Sequence, residues 1–68
     1  MDELRKARNV KGLTQAQAAE LCGISRFYYI DLELGRQEPS VKTAKKISQI
    51  FGFDWVLFYA DEDSSSRE

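Results

Sequence analysis

Four glycines, at positions 12, 23, 35 and 52, divide this 68-residue chain into short segments, and this division constrains the fold more than any other feature of the sequence. Between the glycines the apolar residues recur at helical spacing, and no segment alternates apolar and polar residues as a half-buried strand would. A residue suited to cap a helix N-terminus precedes each of the later segments: Thr14, Ser25, Ser40 and Asp54. The sequence therefore predicts an all-α protein with helices over residues 2–10, 15–22, 26–34, 41–51 and 54–59.

The small size of the chain limits what it can enclose. A single domain of this length buries only about 60% of its unfolded surface, so its helices must pack densely. The inward-facing apolar positions predict a core of Leu4, Ala7, Leu13, Ala19, Cys22, Ile24, Tyr29, Leu32, Val41, Ala44, Ile47, Ile50, Phe51, Phe53 and Leu57. Because Cys22 is the only cysteine, no intrachain disulfide is possible, and we expect it to be a core residue.

The residues that enzymes and metal sites commonly use are scarce. There is no histidine, no glycine-rich phosphate loop and no pair of carboxylates expected to share a pocket. We therefore expect no catalytic activity, no metal and no cofactor. The longest apolar run, residues 55–60, is far shorter than the roughly 20 residues of a membrane span, and the start MDEL lacks an apolar signal segment. These features predict a cytoplasmic protein without a membrane partner.

Charge divides the chain into two parts. Residues 1–52 contain nine Lys and Arg against six Asp and Glu, whereas residues 53–68 contain one arginine against five acidic residues. The last eight residues, DEDSSSRE, are too polar to add to a core. The sequence predicts a folded domain over residues 1–60 and a disordered acidic tail over residues 61–68.

The spacing of small residues between positions 14 and 25 predicts a helix-turn-helix. Two short helices that cross steeply need a small residue where their backbones approach and a turn residue that adopts positive φ. Ala19, four residues after Gln15, meets the first requirement, and Gly23, four residues later, meets the second. Ile24 is placed to fill the angle between the helices. The second and third helices are therefore expected to form this motif within a compact five-helix bundle.

Three stretches in register carry a resemblance to a known family: LRKARNVKGLTQAQAAELCGIS, YYIDLELGRQEPSVKTAKKI and GFDWVLF. From Leu4 to Phe58 the chain resembles the phage repressor/Cro family of helix-turn-helix DNA-binding domains, also called the XRE type. The resemblance implies a lambda-repressor-like bundle whose third helix enters the major groove. It also implies dimers that bind two half-sites one helical turn apart, about 34 Å.

The resemblance assigns base contacts to the exposed side of the third helix: Arg26, Phe27, Tyr28, Ile30 and Asp31. Arginine suits the O6 and N7 atoms of guanine, and Phe27 and Ile30 can pack on thymine methyl groups. Asp31 has two interpretations, since it can accept a hydrogen bond from cytosine N4 or hold Arg26 or Arg36 in place. The whole set also fits a solvated face or an apolar patch for a protein partner.

Phosphate contacts are expected at helix starts and in the loop after the third helix. Gln15 opens the second helix, where unpaired amides and the helix dipole favour an anion. The full set that the resemblance assigns is Gln15, Ser25, Arg36, Gln37, Ser40 and Lys42. Lys45 and Lys46 are interpreted as a solvated face of the fourth helix.

Two further assignments follow from the resemblance. Arg8 and Glu33 occupy positions that pair as a partly buried ion pair between the first and third helices. Relatives form dimers through the last helix, and the corresponding residues here are Phe53, Trp55, Phe58 and Tyr59. We expect that three aromatics in this helix cannot all face one small core, although Trp55 alone could cover it.

The function implied by the resemblance is sequence-specific binding of double-stranded DNA. The predicted protein is a small transcriptional regulator, a repressor-like homodimer on a palindromic operator, located in the cytoplasm on the nucleoid. The alternative is a protein-interaction module that keeps the helix-turn-helix scaffold but has lost DNA affinity. Phe27, Tyr28, Ile30 and Leu34, together with a pI near 5.4, favour this alternative, whereas Gln15, Arg26, Arg36 and Lys42 favour DNA.

Overall fold

The computed structural model describes residues 1–59, which form four α-helices and one 3-10 helix, with no strand in this part of the chain. The elements are α1 (Asp2–Val10), α2 (Gln15–Cys22), α3 (Arg26–Leu34), α4 (Val41–Phe51) and a C-terminal 3-10 helix (Trp55–Tyr59). The all-α prediction is confirmed, and α2 and α3 form the predicted helix-turn-helix. The fifth predicted helix is a 3-10 helix rather than an α-helix. The predicted acidic tail, 61–68, lies outside the described residues.

Local capping explains where the helices begin. At the start of α2, the Thr14 hydroxyl accepts from the Gln17 amide at 3.0 Å, and the Gln17 side chain accepts from the Thr14 amide at 2.9 Å. The hydroxyls of Ser25 and Ser40 cap α3 and α4 by accepting from backbone amides in the first turn. Each cap satisfies an amide that has no partner within its own helix, which is why the predicted starts agree with the structure.

The turn between α2 and α3 depends on Gly23. This residue adopts a φ of 73°, and a Cβ atom there would lie 3.1 Å from the Lys46 amino group. Ala19 is 2% exposed, and its carbonyl accepts from the Ile24 amide at 3.1 Å. A larger residue at position 19 would separate the helices, and any side chain at 23 would strain the backbone. These contacts fix the direction in which α3 leaves the turn.

All five elements contribute to one core. Its buried apolar residues are Leu4, Ala18, Ala19, Cys22, Tyr29, Leu32, Ala44, Ile47, Phe51 and Phe58. The prediction was wrong for Val41, which is 49% exposed because it lies in the first turn of α4, where no described element covers it. Leu57 is only partly buried, and Phe58 takes the core position instead. A 3-10 helix has three residues per turn, so Trp55 and Phe58 share the inward face.

A buried polar cluster ties α1 and α2 to α3. The Arg8 Nε atom lies 2.6 Å from Glu33 Oε2, and these side chains are only 13% and 4% exposed. Arg8 also donates to the Leu13 carbonyl at 2.8 Å, and Gln15 donates to Glu33 Oε1 at 3.2 Å. The buried Tyr29 ring lies beside the same carboxylate. We call Arg8, Gln15, Tyr29 and Glu33 the Glu33 cluster.

The pKa values within the Glu33 cluster favour the ionised forms of both Arg8 and Glu33. Burial by itself would raise the pKa of Glu33, but the hydrogen bonds from Arg8 and Gln15 outweigh it and lower that pKa. The hydrogen bond to Glu33 raises the pKa of Arg8. Burial, followed by the neighbouring carboxylate, raises the pKa of Tyr29 far above its ordinary value. The Glu33 carboxylate therefore stays ionised inside the fold and does not lie on the exposed face of α3.

The C-terminal 3-10 helix closes one end of the core. Phe58 is 8% exposed, and its ring centroid lies 5.6 Å from that of Phe53. Trp55 and Tyr59 are partly buried against the same core, with ring centroids 6.0 Å apart. The Tyr59 hydroxyl donates to the Pro39 carbonyl at 2.6 Å. The expectation that three aromatics could not all face the core was wrong, because the short 3-10 turn lets all three rings pack on it.

Candidate nucleic-acid interface

The start of α3 presents two exposed side chains in the region where the sequence predicted base contacts. Arg26 and Phe27 follow the Ser25 cap directly, and Phe27 is 71% exposed. The Arg26 guanidinium lies 5.3 Å from the centroid of the Phe27 ring, within range of a cation–π contact. The pair therefore projects from the fold as one unit, with a fork of donors beside an apolar ring.

The other predicted base-contacting residues are less accessible. Tyr28 is half-buried and packs on the core, and Ile30 is also half-buried. On the opposite face of α3, Tyr29, Leu32 and Glu33 are buried. The structure thus divides α3 into a face fixed in the core and a narrower exposed face that begins with Arg26 and Phe27.

Asp31 contacts the loop that follows α3. Its Oδ2 atom accepts from the Gln37 side-chain amide at 2.8 Å, and its Oδ1 atom lies 3.8 Å from Arg36 Nη1. Of the two interpretations of Asp31, the structure contains the one in which it holds Arg36. Arg36 and Gln37, which the sequence assigned to phosphate, are therefore partners of Asp31, which it assigned to a base.

Gln15 also has a partner within the protein. Because its side-chain amide donates to the buried Glu33 carboxylate, Gln15 joins the start of α2 to α3. The amide has a second N–H, so this contact does not exhaust its donors. Sequence reasoning missed the contact, since Gln15 and Glu33 are 18 positions apart and neither residue type signals a partner.

The remaining predicted phosphate contacts lie at helix starts. The Ser25 hydroxyl accepts from the Tyr28 amide at 3.1 Å, and the Ser40 hydroxyl donates to Thr43 Oγ1 at 3.1 Å. Lys42 is exposed in the first turn of α4. Partial positive charge at a helix N-terminus favours a phosphate, and an adjacent lysine adds to it.

The two other lysines of α4 have roles that the sequence did not reveal. The Lys45 amino group lies 5.3 Å from the centroid of Trp55, and the Lys46 amino group lies near Gly23, at the C-terminal end of α2. A cation near a helix C-terminus is stabilising. The interpretation of these lysines as a purely solvated face was incomplete, because side-chain reach across elements leaves no mark in the sequence.

The segment predicted to form a dimer contact offers a different set of side chains from the one expected. Phe58 is buried within the protomer, so most of its ring is not available to a partner. Val56 is 48% exposed and was not predicted. A 3-10 period over residues 55–59 would have placed Val56 outside and Phe58 inside.

The described residues, 1–59, lack two further kinds of feature. They contain no group of three or more His, Cys, Asp or Glu side chains arranged to hold a metal ion. None of their helices is long and apolar enough to cross a lipid bilayer.

Comparison with known proteins gives a family match and several similar proteins. Residues 4–58 match the helix-turn-helix family model. The chain is 45% identical over 58 residues to YqaF, an uncharacterised HTH-type transcriptional regulator of Bacillus subtilis, covering 85% of this chain and 76% of that protein. It is 38% identical over 64 residues to an uncharacterised HTH-type transcriptional regulator of Methanothermobacter thermautotrophicus, covering 91% and 93%.

A phage protein is among the relatives. The ImmF control region 10 kDa protein of Bacillus phage phi105 is 37% identical over 51 residues, which cover 75% of this chain and 57% of that protein. No solved structure gives a significant match. With the α2–α3 geometry and the family match over residues 4–58, the chain belongs to the phage repressor/Cro-type, or XRE-type, family of helix-turn-helix DNA-binding transcriptional regulators.

Proposed function

We propose that this protein is a repressor-like homodimer that binds a palindromic operator in double-stranded DNA in the cytoplasm, on the nucleoid. The observation that carries the proposal is the exposed Arg26–Phe27 pair at the start of α3. In the proposed complex this end of α3 enters the major groove, where Arg26 has the donors to recognise guanine. Phe27 has the apolar surface to contact a thymine methyl group.

In the proposed complex, further exposed polar and basic groups contact the DNA backbone. Arg36 and Gln37 lie in the loop after α3, and Lys42 lies in the first turn of α4. Together with Arg26 and Phe27 we call these residues the candidate DNA surface. Gln15 contributes a remaining N–H at the start of α2, and the hydroxyls of Ser25 and Ser40 lie at helix starts that favour phosphate.

The dimer is proposed to form through the segment 52–59. Val56 is half-exposed, and Phe53 and Trp55 are partly buried, so this end of the protomer retains apolar surface. A two-fold contact places the same patch against itself, which suits a short helix with a central valine. Phe58 and Tyr59 support the contact from inside the protomer.

Selection of binding sites from random duplexes, at a low and a moderate salt concentration, tests the proposal. We expect a palindromic motif whose half-sites are about one helical turn apart, and an affinity that falls steeply with salt. Sedimentation of the complex should give two chains per duplex. Enrichment of no motif at low salt would contradict the function, and a single half-site bound by one chain would contradict the dimer.

One observation favours a protein-interaction module as the second candidate. Phe27 and Leu34 are 71% and 57% exposed on α3, and Val41 adds 49% exposure at the start of α4. Exposed apolar side chains on a helix suit a protein partner. The selection experiment separates the two functions, because a module without DNA affinity enriches no sequence at either salt concentration.

A further inference from the structure

A carboxylate, that of Asp31, contacts two residues of the candidate DNA surface, both in the loop after α3. Asp31 Oδ2 accepts from the Gln37 amide at 2.8 Å, and Oδ1 lies 3.8 Å from the Arg36 guanidinium. The Asp31 side chain is 28% exposed and that of Arg36 is 70% exposed. The acidic group therefore lies beneath the two residues proposed to meet phosphate, with both of its oxygens directed at them.

We propose that Asp31 is an internal counter-charge that lowers the affinity of the protein for all duplexes alike, and that it is not a residue that reads a base. The inference rests on the proposed DNA-binding function and concerns the strength of binding at the same surface. In the free protein the carboxylate takes the place beside Arg36 that a DNA phosphate would otherwise occupy.

Geometry argues against a base contact. To accept from cytosine N4, the carboxylate would have to turn away from Gln37 and give up a well-formed hydrogen bond. Remaining where it is, Asp31 keeps Gln37 in position and repels nearby phosphates whatever the base sequence.

Electrostatics predicts that removing the Asp31 charge strengthens DNA binding. Binding of a lysine or arginine to phosphate releases condensed counterions, and each such contact steepens the dependence of affinity on salt. An arginine already paired with a carboxylate gains less from a phosphate. Asp31→Asn removes this competition but keeps an oxygen that can accept from Gln37. The start of the loop is retained as well, since the Arg36 amide donates to the backbone carbonyl of residue 31 at 2.9 Å.

Binding of the full chain to a selected duplex and to a scrambled duplex of equal length, over a range of salt concentrations, tests the inference. Asp31→Asn should tighten binding to both duplexes by the same factor, about three- to tenfold at low salt, and steepen the log–log salt slope by about one. In the Asp31→Asn background, Arg36→Ala should abolish the gain, because Arg36 is the group that the carboxylate restrains.

Asp2→Asn is the matched control. Asp2 also pairs with an arginine, Arg5, at 3.2 Å, and it lies on α1 outside the candidate DNA surface. This variant changes net charge by the same amount and should leave affinity and slope nearly unchanged. An equal gain from Asp2→Asn would overturn the inference, since it would show an effect of overall charge.

Three other results would overturn it. Unchanged or weaker binding of Asp31→Asn contradicts a counter-charge, and a changed preference at one base pair per half-site identifies Asp31 as a reading residue. Failure of the wild-type chain to bind any duplex at low salt contradicts the proposed function itself and removes the basis of the inference. That last outcome is distinguishable because it appears before any variant is compared.

Discussion

At the scale of single residues, the Glu33 cluster decides what α3 can do. Glu33 lies on the recognition helix of a DNA-binding family, where an exposed acid would repel phosphate. It is instead buried and paired with Arg8 at 2.6 Å. Breaking such a pair leaves an uncompensated buried charge, which costs far more than losing an exposed pair. The cluster thus removes an acid from the surface and fixes α1 to α3.

Arg8→Ala should lower the free energy of unfolding by about 3–5 kcal/mol, because Glu33 would remain buried without its partner. Arg5→Ala is the control, since Arg5 pairs with Asp2 on the surface with 55% and 74% of the two side chains exposed. We expect that change to cost less than about 1 kcal/mol. Urea denaturation followed by circular dichroism measures both. Equal, small losses for the two variants would show that the Arg8 pair contributes no more than a surface pair.

The lowered pKa of Glu33 predicts an acid-sensitive fold. A carboxyl whose pKa is lower in the folded state stabilises the protein above the ordinary value of 4.5, and that stability is lost as pH falls below it. Glu33→Gln should be less stable than the wild type at neutral pH, and the difference should shrink below pH 4.5. Thermal unfolding across that pH range measures the difference. A gap that stays constant with pH would exclude Glu33 as the responsible group.

At the scale of elements, all five helices were predictable, but the 3-10 geometry of the last one was not. The spacing of glycines and capping residues defined α2, α3 and α4, because Thr14, Ser25 and Ser40 each satisfy a local amide. These are interactions over three residues, which a sequence displays directly. The 3-10 geometry of residues 55–59 depends on how the segment packs against α4 and the loop, and no local signal encodes that.

The same distinction between local interactions and contacts across elements applies to the candidate site. Arg26 and Phe27 are exposed because they follow the Ser25 cap at the start of α3 and precede its first buried residue, Tyr29. The pairing of Asp31 with Gln37 and of Gln15 with Glu33 joins residues from different elements. Such contacts depend on side-chain conformations across a tertiary junction, so the sequence could only leave Asp31 with two interpretations.

The division of α3 predicts two distinct binding defects. Arg26→Ala should weaken binding and relax the preference at one base pair per half-site, with a loss of about 1–3 kcal/mol on the selected operator. Arg36→Ala should weaken binding to all duplexes alike and reduce the salt slope. Selection from random duplexes with each variant measures preference and affinity together. Loss of preference with Arg36→Ala, and none with Arg26→Ala, would reverse the two assignments.

At the scale of the whole molecule, the C-terminal 3-10 helix and the loop after α3 are linked. The Tyr59 hydroxyl donates to the carbonyl of Pro39, which is buried one residue before the Ser40 cap. The segment proposed to form the dimer therefore contacts the loop proposed to meet phosphate. A change in the 3-10 helix is therefore expected to alter the loop after α3, and the reverse.

Tyr59→Phe should cost about 0.5–1.5 kcal/mol of stability, because the buried carbonyl loses its donor while the ring keeps its packing. It should also weaken DNA binding by the same factor for selected and scrambled duplexes, since the loop carries no base contact. Self-association, measured by sedimentation, should weaken as well, because Tyr59 supports the proposed dimer contact. Wild-type affinity in a variant of reduced stability would show that the link supports the fold alone.

The two faces of α3 have a consequence for how such a protein could diversify. Tyr29, Leu32 and Glu33 connect the helix to its scaffold, whereas Arg26 and Phe27 contact little of it. Exchanging those two outward positions would leave the anchoring interactions in place. Under the proposed function, mutation of these two positions would retarget the molecule to a new operator in single steps, each one passing through a chain that still folds.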